Sequence, residues 1–243
     1  MPFEKGEFLL IDYVAKVKET GEVFDTTLED IARKERLHKE GELYEAKLVV
    51  VGEGWLLKAL DESLLDMKLV KPATVEISPE KAFGNRDPEK VRLVPLRRLT
   101  AKGITPQLGM RVEFDGKLAT VRTMGAGRVQ LDFNPPLAGK TLIYEVTVQK
   151  KLETKTEKIK ALIHRRISAV DAAKFKLKTR KTIVEIGMPE EAFYIEGIQL
   201  AKRGVATDIQ KFFPETTTVK FAETFKRREA VASTATSSKP KQN

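Results

Sequence analysis

Cysteine and histidine, two side chains often recruited as nucleophiles, bases and metal ligands, are scarce in this 243-residue chain. No cysteine is present, which removes thiol nucleophiles, thiolate metal sites and disulfides together. His38 and His164 are solitary, so no metal site is expected. Gly52-Glu53-Gly54 hints at a phosphate loop, but neither Gly-Lys-Ser/Thr nor the third glycine of a dinucleotide fingerprint follows. No nucleotide or other cofactor is therefore expected. What remains is non-covalent. Phe24-Asp25 sets a large ring beside a carboxylate, and Leu57, Leu60, Leu64 and Met67 recur at helical spacing. Both have a plain reading, since that spacing is what any core-facing helix offers and an Asp can cap the turn that ends a strand.

The elements that must position these residues can be read from period and punctuation. Residues 7–17 are aliphatic with partial alternation, and Glu19-Thr20-Gly21 supplies turn chemistry, which predicts a hairpin into Val23-Phe24. Residues 28–45 predict a short helix and a loop around Gly41. One amphipathic helix is expected over Trp55–Met67, then a strand at 73–78 and another at 142–148. Between those strands, residues 85–134 hold short strand-like pieces separated by glycines, as a small inserted β-domain would. After Val148 come a helix carrying Ile159, Leu162, Ile163 and Ile167, a hairpin through Lys174–Ile186, a helix opened by Pro189, and a strand over Val219–Phe225. From Ala230 onward too little bulk is present to pack, and a disordered tail is expected.

The formal charge of +9 is uneven, because residues 150–182 hold twelve Lys/Arg against three Asp/Glu. Such a polycation attracts nucleic acid, ribosomes or acidic clients at low salt, unless it is only a solvated surface. The start of the chain lacks a basic segment followed by an apolar one, and no window nears the roughly 20 apolar residues of a membrane span. The cytoplasm is the expected compartment, with no membrane partner.

Several segments resemble the FKBP family, most closely its SlyD-like members and the long archaeal forms. They are Asp12-Tyr13 followed by Gly21-Glu22-Val23-Phe24-Asp25-Thr26-Thr27, then Val51-Gly52-Glu53-Gly54-Trp55-Leu56-Leu57-Lys58-Ala59-Leu60-Asp61, then Ile77-Ser78-Pro79-Glu80-Lys81-Ala82-Phe83-Gly84. Asn134-Pro135-Pro136-Leu137-Ala138-Gly139-Lys140-Thr141-Leu142 is similar to the stretch by which SlyD-like chains re-enter the FKBP domain. The resemblance implies an α+β protein of three modules. These are an antiparallel half-barrel sheet around one helix (1–84 plus 135–152), an inserted small β-domain (85–134), and a basic C-terminal α/β sandwich (153–229), followed by a tail (230–243).

It also implies a peptidyl-prolyl cis/trans isomerase and folding chaperone acting on unfolded or nascent proline-containing polypeptides. An Xaa-Pro bond turns over a barrier of roughly 20 kcal/mol, and a dry cleft with a few fixed dipoles lowers it by favouring the twisted amide. By transfer from the family, Tyr13, Phe24, Leu56, Leu57, Leu60, Phe83 and Tyr144 line the cleft, Asp25 is its polar group, and the Leu57 backbone N–H holds a substrate carbonyl. Departures weaken the match: Ala59 and Asp61 replace the usual glycine and glutamate, Phe83 lacks the usual hydroxyl, and the turn before Gly21 is one residue longer. In SlyD-like proteins the insert binds unfolded chains, which makes Val91, Leu93, Val94, Leu96, Leu99, Met110, Phe114, Met124 and Leu131 candidates for client contact. Resemblance to the long archaeal forms implies a homodimer through the C-terminal domain. The alternative is a catalytically weak holdase whose basic region docks on a ribosome; no base-reading motif is present, so no specific nucleic acid is expected.

Overall fold

A computed structural model describes residues 2–225 and divides after Thr154 into two compact units. The tail expected from 230 onward, and the last positions assigned to the C-terminal domain, lie outside the described residues.

In the first unit the order is β1 (Phe8–Val17), β2 (Val23–Thr26), α1 (Glu29–Lys34), β3 (Lys47–Val50), α2 (Lys58–Ser63) and β4 (Ala73–Ile77). There follow β5 (Val91–Pro95), α3 (Leu96–Thr100), β6 (Arg111–Phe114), β7 (Lys117–Gly125), β8 (Arg128–Asp132) and the long β9 (Leu142–Leu152). β9 runs antiparallel to β1 along its whole length, from Phe8 opposite Leu152 to Val17 opposite Leu142. β4 lies on the other side of β9, while β3 and β2 share the remaining edge of β1. The α+β class expected from the sequence is the class observed.

Alternation explains how this sheet makes a core. Leu9, Ile11, Tyr13, Ala15 and Val17 of β1 are buried, as are Leu142, Tyr144, Val146 and Val148 of β9, while the residues between them are less covered. Leu60, Leu64 and Met67 close over that face and complete one apolar cluster. The sequence predicts a helix over Trp55–Met67, but α2 begins only at Lys58 and passes into a 3-10 turn at Leu64–Asp66. Gly52 and Gly54 sit at positive φ (+86° and +67°), and Leu57 is extended at ψ 136°, so the chain is still in a loop where the apolar period has already begun. β9 exceeds its predicted strand because Gln149, Lys150 and Lys151, polar as they are, continue alongside β1, with a bulge opposite Leu10 and Ile11.

Strands β5 to β8 form a separate antiparallel sheet in the order β5-β8-β7-β6. Its core is Val94, Leu99, Val112, Phe114, Ala119, Val121, Val129 and Leu131. α3 was not anticipated, because a five-residue helix with Arg97 and Arg98 at its centre shows no period; Leu99 is its one buried residue. Where the chain enters and leaves this sheet, the buried Asp132 side chain accepts hydrogen bonds from Arg86 (2.9 Å), Arg122 (3.0 Å) and Asn134 Nδ2 (2.8 Å). Asn134 in turn pairs with both the N–H and the carbonyl of Asp87, each at 2.9 Å. Burial alone would raise the Asp132 carboxyl, but the Asn134 donors and the Arg122 and Arg86 charges hold it below the usual carboxylate range. Asp132→Ala should destabilise the insert by about 3 kcal/mol, since it strands several donors in one step. Urea unfolding of the variant, with cleavage mapped to 85–134 by limited proteolysis, checks this.

The second unit contains α4 (Lys155–Arg166), β10 (Lys176–Arg180), β11 (Ile183–Gly187), α5 (Ile198–Phe212) and β12 (Thr218–Ala222). β10 and β11 form a hairpin, and β12 lies parallel to β11 because α5 crosses between them. Ile159, Leu162 and Ile163 of α4, Val205 and Ile209 of α5, and Val184 and Ile186 of β11 are buried. Arg166 reaches Asp208 with two hydrogen bonds, 2.8 and 3.1 Å, joining the two helices. The helix predicted to open at Pro189 is instead a 3-10 turn over Glu190–Ala192, and α5 starts only after Gly197, at φ +74°. No helix among the described residues is long and apolar enough to cross a membrane.

Candidate functional site

Tyr13 and Tyr144 lie on paired strands, Tyr13 opposite Val146 and Tyr144 opposite Ala15, so both rings emerge on the buried face near the open edge of the cluster. Their centroids are 5.9 Å apart. β2 delivers the next two residues through an irregularity: Ala15 pairs with Asp25 but Lys16 pairs with Val23, leaving Phe24 as the extra residue of a bulge. In a regular strand Phe24 and Asp25 would face opposite ways. Here the Phe24 ring stands edge-on to Tyr144 at 6.1 Å while the Asp25 carboxylate accepts a 2.7 Å hydrogen bond from the Tyr13 hydroxyl.

Buried threonines fix this corner. Thr27 Oγ1 accepts from Tyr13 N (2.9 Å) and donates to Asp12 (2.9 Å), and Thr26 Oγ1 donates to the Tyr13 carbonyl (2.9 Å). Lys47 of β3 donates to the Tyr13 hydroxyl at 2.9 Å and lies 5.2 Å from its ring centroid. The Tyr13 hydroxyl therefore both accepts and donates within the protein. Burial, then the hydrogen bond to Asp25, push it well above the ordinary phenol range. Burial and the Asp25 charge push Tyr144 up to about 12, so it too stays protonated at physiological pH. The Tyr144 hydroxyl has no hydrogen-bond partner among the described residues, which leaves its proton for an incoming group.

On the helix side, Leu60 is buried, and Leu56 and Leu57 are half-buried against the same cluster as Phe24. Leu57 is the extended residue that opens α2, and its N–H has no intrachain partner among the described residues. The loop carrying it is held by Asp61, a buried carboxylate that accepts from Gly52 N (3.0 and 3.1 Å) and Gly54 N (3.2 Å). The shorter Asp thus does the anchoring at the position where the family's glutamate was expected. Asp61→Ala should cost about 2 kcal/mol by orphaning those N–H groups, and should raise KM by loosening Leu56 and Leu57. Thermal unfolding and peptide kinetics measured side by side check both effects.

Seven of the eight cleft residues read from the sequence thus share one site: Tyr13, Phe24, Asp25, Leu56, Leu57, Leu60 and Tyr144. Phe83 follows the 3-10 turn Pro79–Lys81 and is exposed, at 41%. Lys47, Thr26 and Thr27 were missed as participants. The threonines sit inside the quoted Phe24–Thr27 motif, whereas nothing in the sequence marks Lys47. Among the described residues no three His, Asp or Glu side chains gather as metal ligands would.

The client-contact candidates divide. Leu93, Leu96, Met110 and Met124 are exposed, and Val91 is half-buried. Val94, Leu99, Phe114 and Leu131 must be corrected: all are buried in the insert's core, where they hold the small sheet together and offer no surface. Leu108 and Leu118, which the sequence reading passed over, are among the most exposed apolar residues of the insert, at 72% and 58%.

Residues 92–137 match a family model described as FKBP26, IF domain, and residues 155–226 match one described as FKBP26 C-terminal. The chain is 32% identical to the short-type peptidyl-prolyl cis-trans isomerase of Methanocaldococcus jannaschii over 146 residues, which is 60% of this chain and 92% of that one. A probable FKBP-type 16 kDa isomerase of Pseudomonas fluorescens is 33% identical over 40% of this chain and 67% of its own. SlyD of Treponema pallidum, an FKBP-type isomerase, is 29% identical over 48% and 68% respectively. Identity at this level along nearly the whole archaeal relative, together with two family-model matches in order along the chain, makes this protein a member of the SlyD-like FKBP-type peptidyl-prolyl cis-trans isomerases.

Proposed function

We propose that Xaa-Pro bonds of unfolded or nascent polypeptides isomerise in the cleft of Tyr13, Phe24, Asp25, Leu56, Leu57, Leu60 and Tyr144, while the insert holds the client nearby. The observation that carries this reading is the pairing of an apolar wall with two donors that have no partner among the described residues, the Leu57 N–H and the Tyr144 hydroxyl. The wall disfavours the planar, polar amide, and the donors can follow the carbonyl as it turns. Tyr13, tied to Asp25 and Lys47, is a fixed part of the frame. No proton changes hands in this chemistry, so a phenol held at about 12 keeps its donor role throughout the physiological range.

Exposed Leu93, Leu96, Leu108, Met110, Leu118 and Met124 supply the insert with surface for apolar client segments. In the second unit Tyr194 and Phe225 are 81% and 71% exposed, and Phe193 lies 6.3 Å from Tyr194 and 5.0 Å from Phe225. That patch is where a second copy of the chain would pair. The cytoplasm is the proposed compartment.

The test is proline-limited refolding of a model protein. Substoichiometric enzyme should speed the slow phase in proportion to its concentration. The competing reading, a holdase without useful catalysis, is favoured by Phe83, which carries no hydroxyl. A slow phase left unchanged or delayed would decide for the holdase.

A further inference from the structure

Part of the second unit's excess positive charge lies in register on one face of its sheet. Register sets Lys176, Lys178 and Arg180 of β10 opposite Gly187, Glu185 and Ile183 of β11, and these beside Ala222, Lys220 and Thr218 of β12. Successive residues alternate faces, so this set shares one side. Val184, Ile186, Val219 and Phe221 take the other, where the buried core lies and where α5 packs on β12.

Four cations therefore share a face with one carboxylate, Glu185, which sits 3.6 Å from Lys178. Lys176, Arg180, Lys220 and the turn residue Lys181 are exposed and make no ion pair among the described residues. Several other cations of the unit are engaged: Lys155 with Glu215, Arg166 with Asp208, Lys174 with Glu191 and Lys202 with Glu223. Protection of the β10 edge does not account for the arrangement. One lysine blunts an edge, whereas three like charges on the same side, about 6.8 Å apart, repel one another without adding protection.

We propose that this sheet face binds the sugar-phosphate backbone of a single-stranded nucleic acid without reading its bases. The row Lys176-Lys178-Arg180 repeats at a pitch suited to consecutive phosphates of an extended strand, and Lys220 adds a fourth contact about 10 Å across two strand spacings. No aromatic side chain lies on the face, so stacking and base recognition have no support there. A lipid surface would call for large exposed apolar residues among the charges, and a protein partner for an apolar centre; the face has neither. This inference is independent of the prolyl cleft.

The test is fluorescence anisotropy of labelled oligouridylate with the full chain across a salt series. Four contacts predict a slope of log K on log salt of about −3. Lys176→Gln/Lys178→Gln/Arg180→Gln/Lys220→Gln should weaken binding by roughly 100-fold at low salt and flatten the slope. The pair Lys176→Gln/Arg180→Gln should lose about half the slope, and it decides the matter if the fourfold variant fails to fold. A control with the same net charge, Lys34→Gln/Lys68→Gln/Lys71→Gln/Lys117→Gln, should bind like the parent. Equal losses in control and test variants, a parent slope shallower than about −1, or binding to phosphatidylserine vesicles with none to oligouridylate would each overturn the proposal.

Discussion

Replacing Asp25 with alanine is expected to lower kcat/KM on a proline-containing tetrapeptide by about 10- to 100-fold, with a loss of stability of about 1–2 kcal/mol. The carboxylate accepts the Tyr13 hydroxyl at 2.7 Å, and Lys47 donates to that same hydroxyl from the other side. Without Asp25 the phenol faces a cation with no acceptor for its own proton, and its ring is fixed less firmly by Lys47 and Tyr144 alone. A hydrogen bond to a charged group contributes about 1.5–3 kcal/mol, which at about 1.4 kcal/mol per decade gives the stated range. Half-buried Asp25 packs little apolar surface, so the loss is confined to that hydrogen bond and the thermal midpoint should fall by only a few degrees. Asp25→Asn keeps an acceptor without the charge and should fall between. If the alanine variant keeps its activity within about threefold, the cleft is not the site of catalysis.

Replacement of residues 85–134 by a short loop should separate protein substrates from peptides. The excised sheet has its own core, distinct from the cluster that contains Tyr13 and Tyr144. Its two ends are close already, with Gly139 N donating to the Gly84 carbonyl at 2.8 Å. The remaining half-barrel should fold and keep tetrapeptide turnover within a few-fold. Catalysis of refolding should drop by about 100-fold, because a client held by the insert meets the cleft at an effective concentration that free diffusion does not supply. An equal fall for peptide and protein would mean that the insert shapes the cleft; no fall for either would mean that it holds no client.

How far the sequence disclosed this molecule depended on whether a feature repeats along the chain. β1 and the first half of β9 were legible because Leu9, Ile11, Tyr13, Ala15 and Val17 face Leu142, Tyr144, Val146 and Val148 at the period of a pleat. The helix over 55–67 was overdrawn because period counts apolar residues and is blind to the extended backbone of Leu57. The same blindness placed a helix start at Pro189, where Gly197 postpones it. In the site, Tyr13, Phe24, Asp25 and Leu60 lay within motifs, whereas Lys47 meets Tyr13 only through strand pairing. Apolar type alone could not separate Phe114 and Leu131, which build the insert, from Leu108 and Leu118, which it exposes.

The bulge at Phe24 governs where this gene can gain or lose a codon. In the solvent-facing turn between Val17 and Val23, one residue more or fewer should merely change the arc. Deleting Phe24 itself would leave β2 paired in regular register and remove the ring that faces Tyr144, with the remaining fold intact. Lineages of this protein should therefore drift freely in length on one side of Val23 and hardly at all on the other.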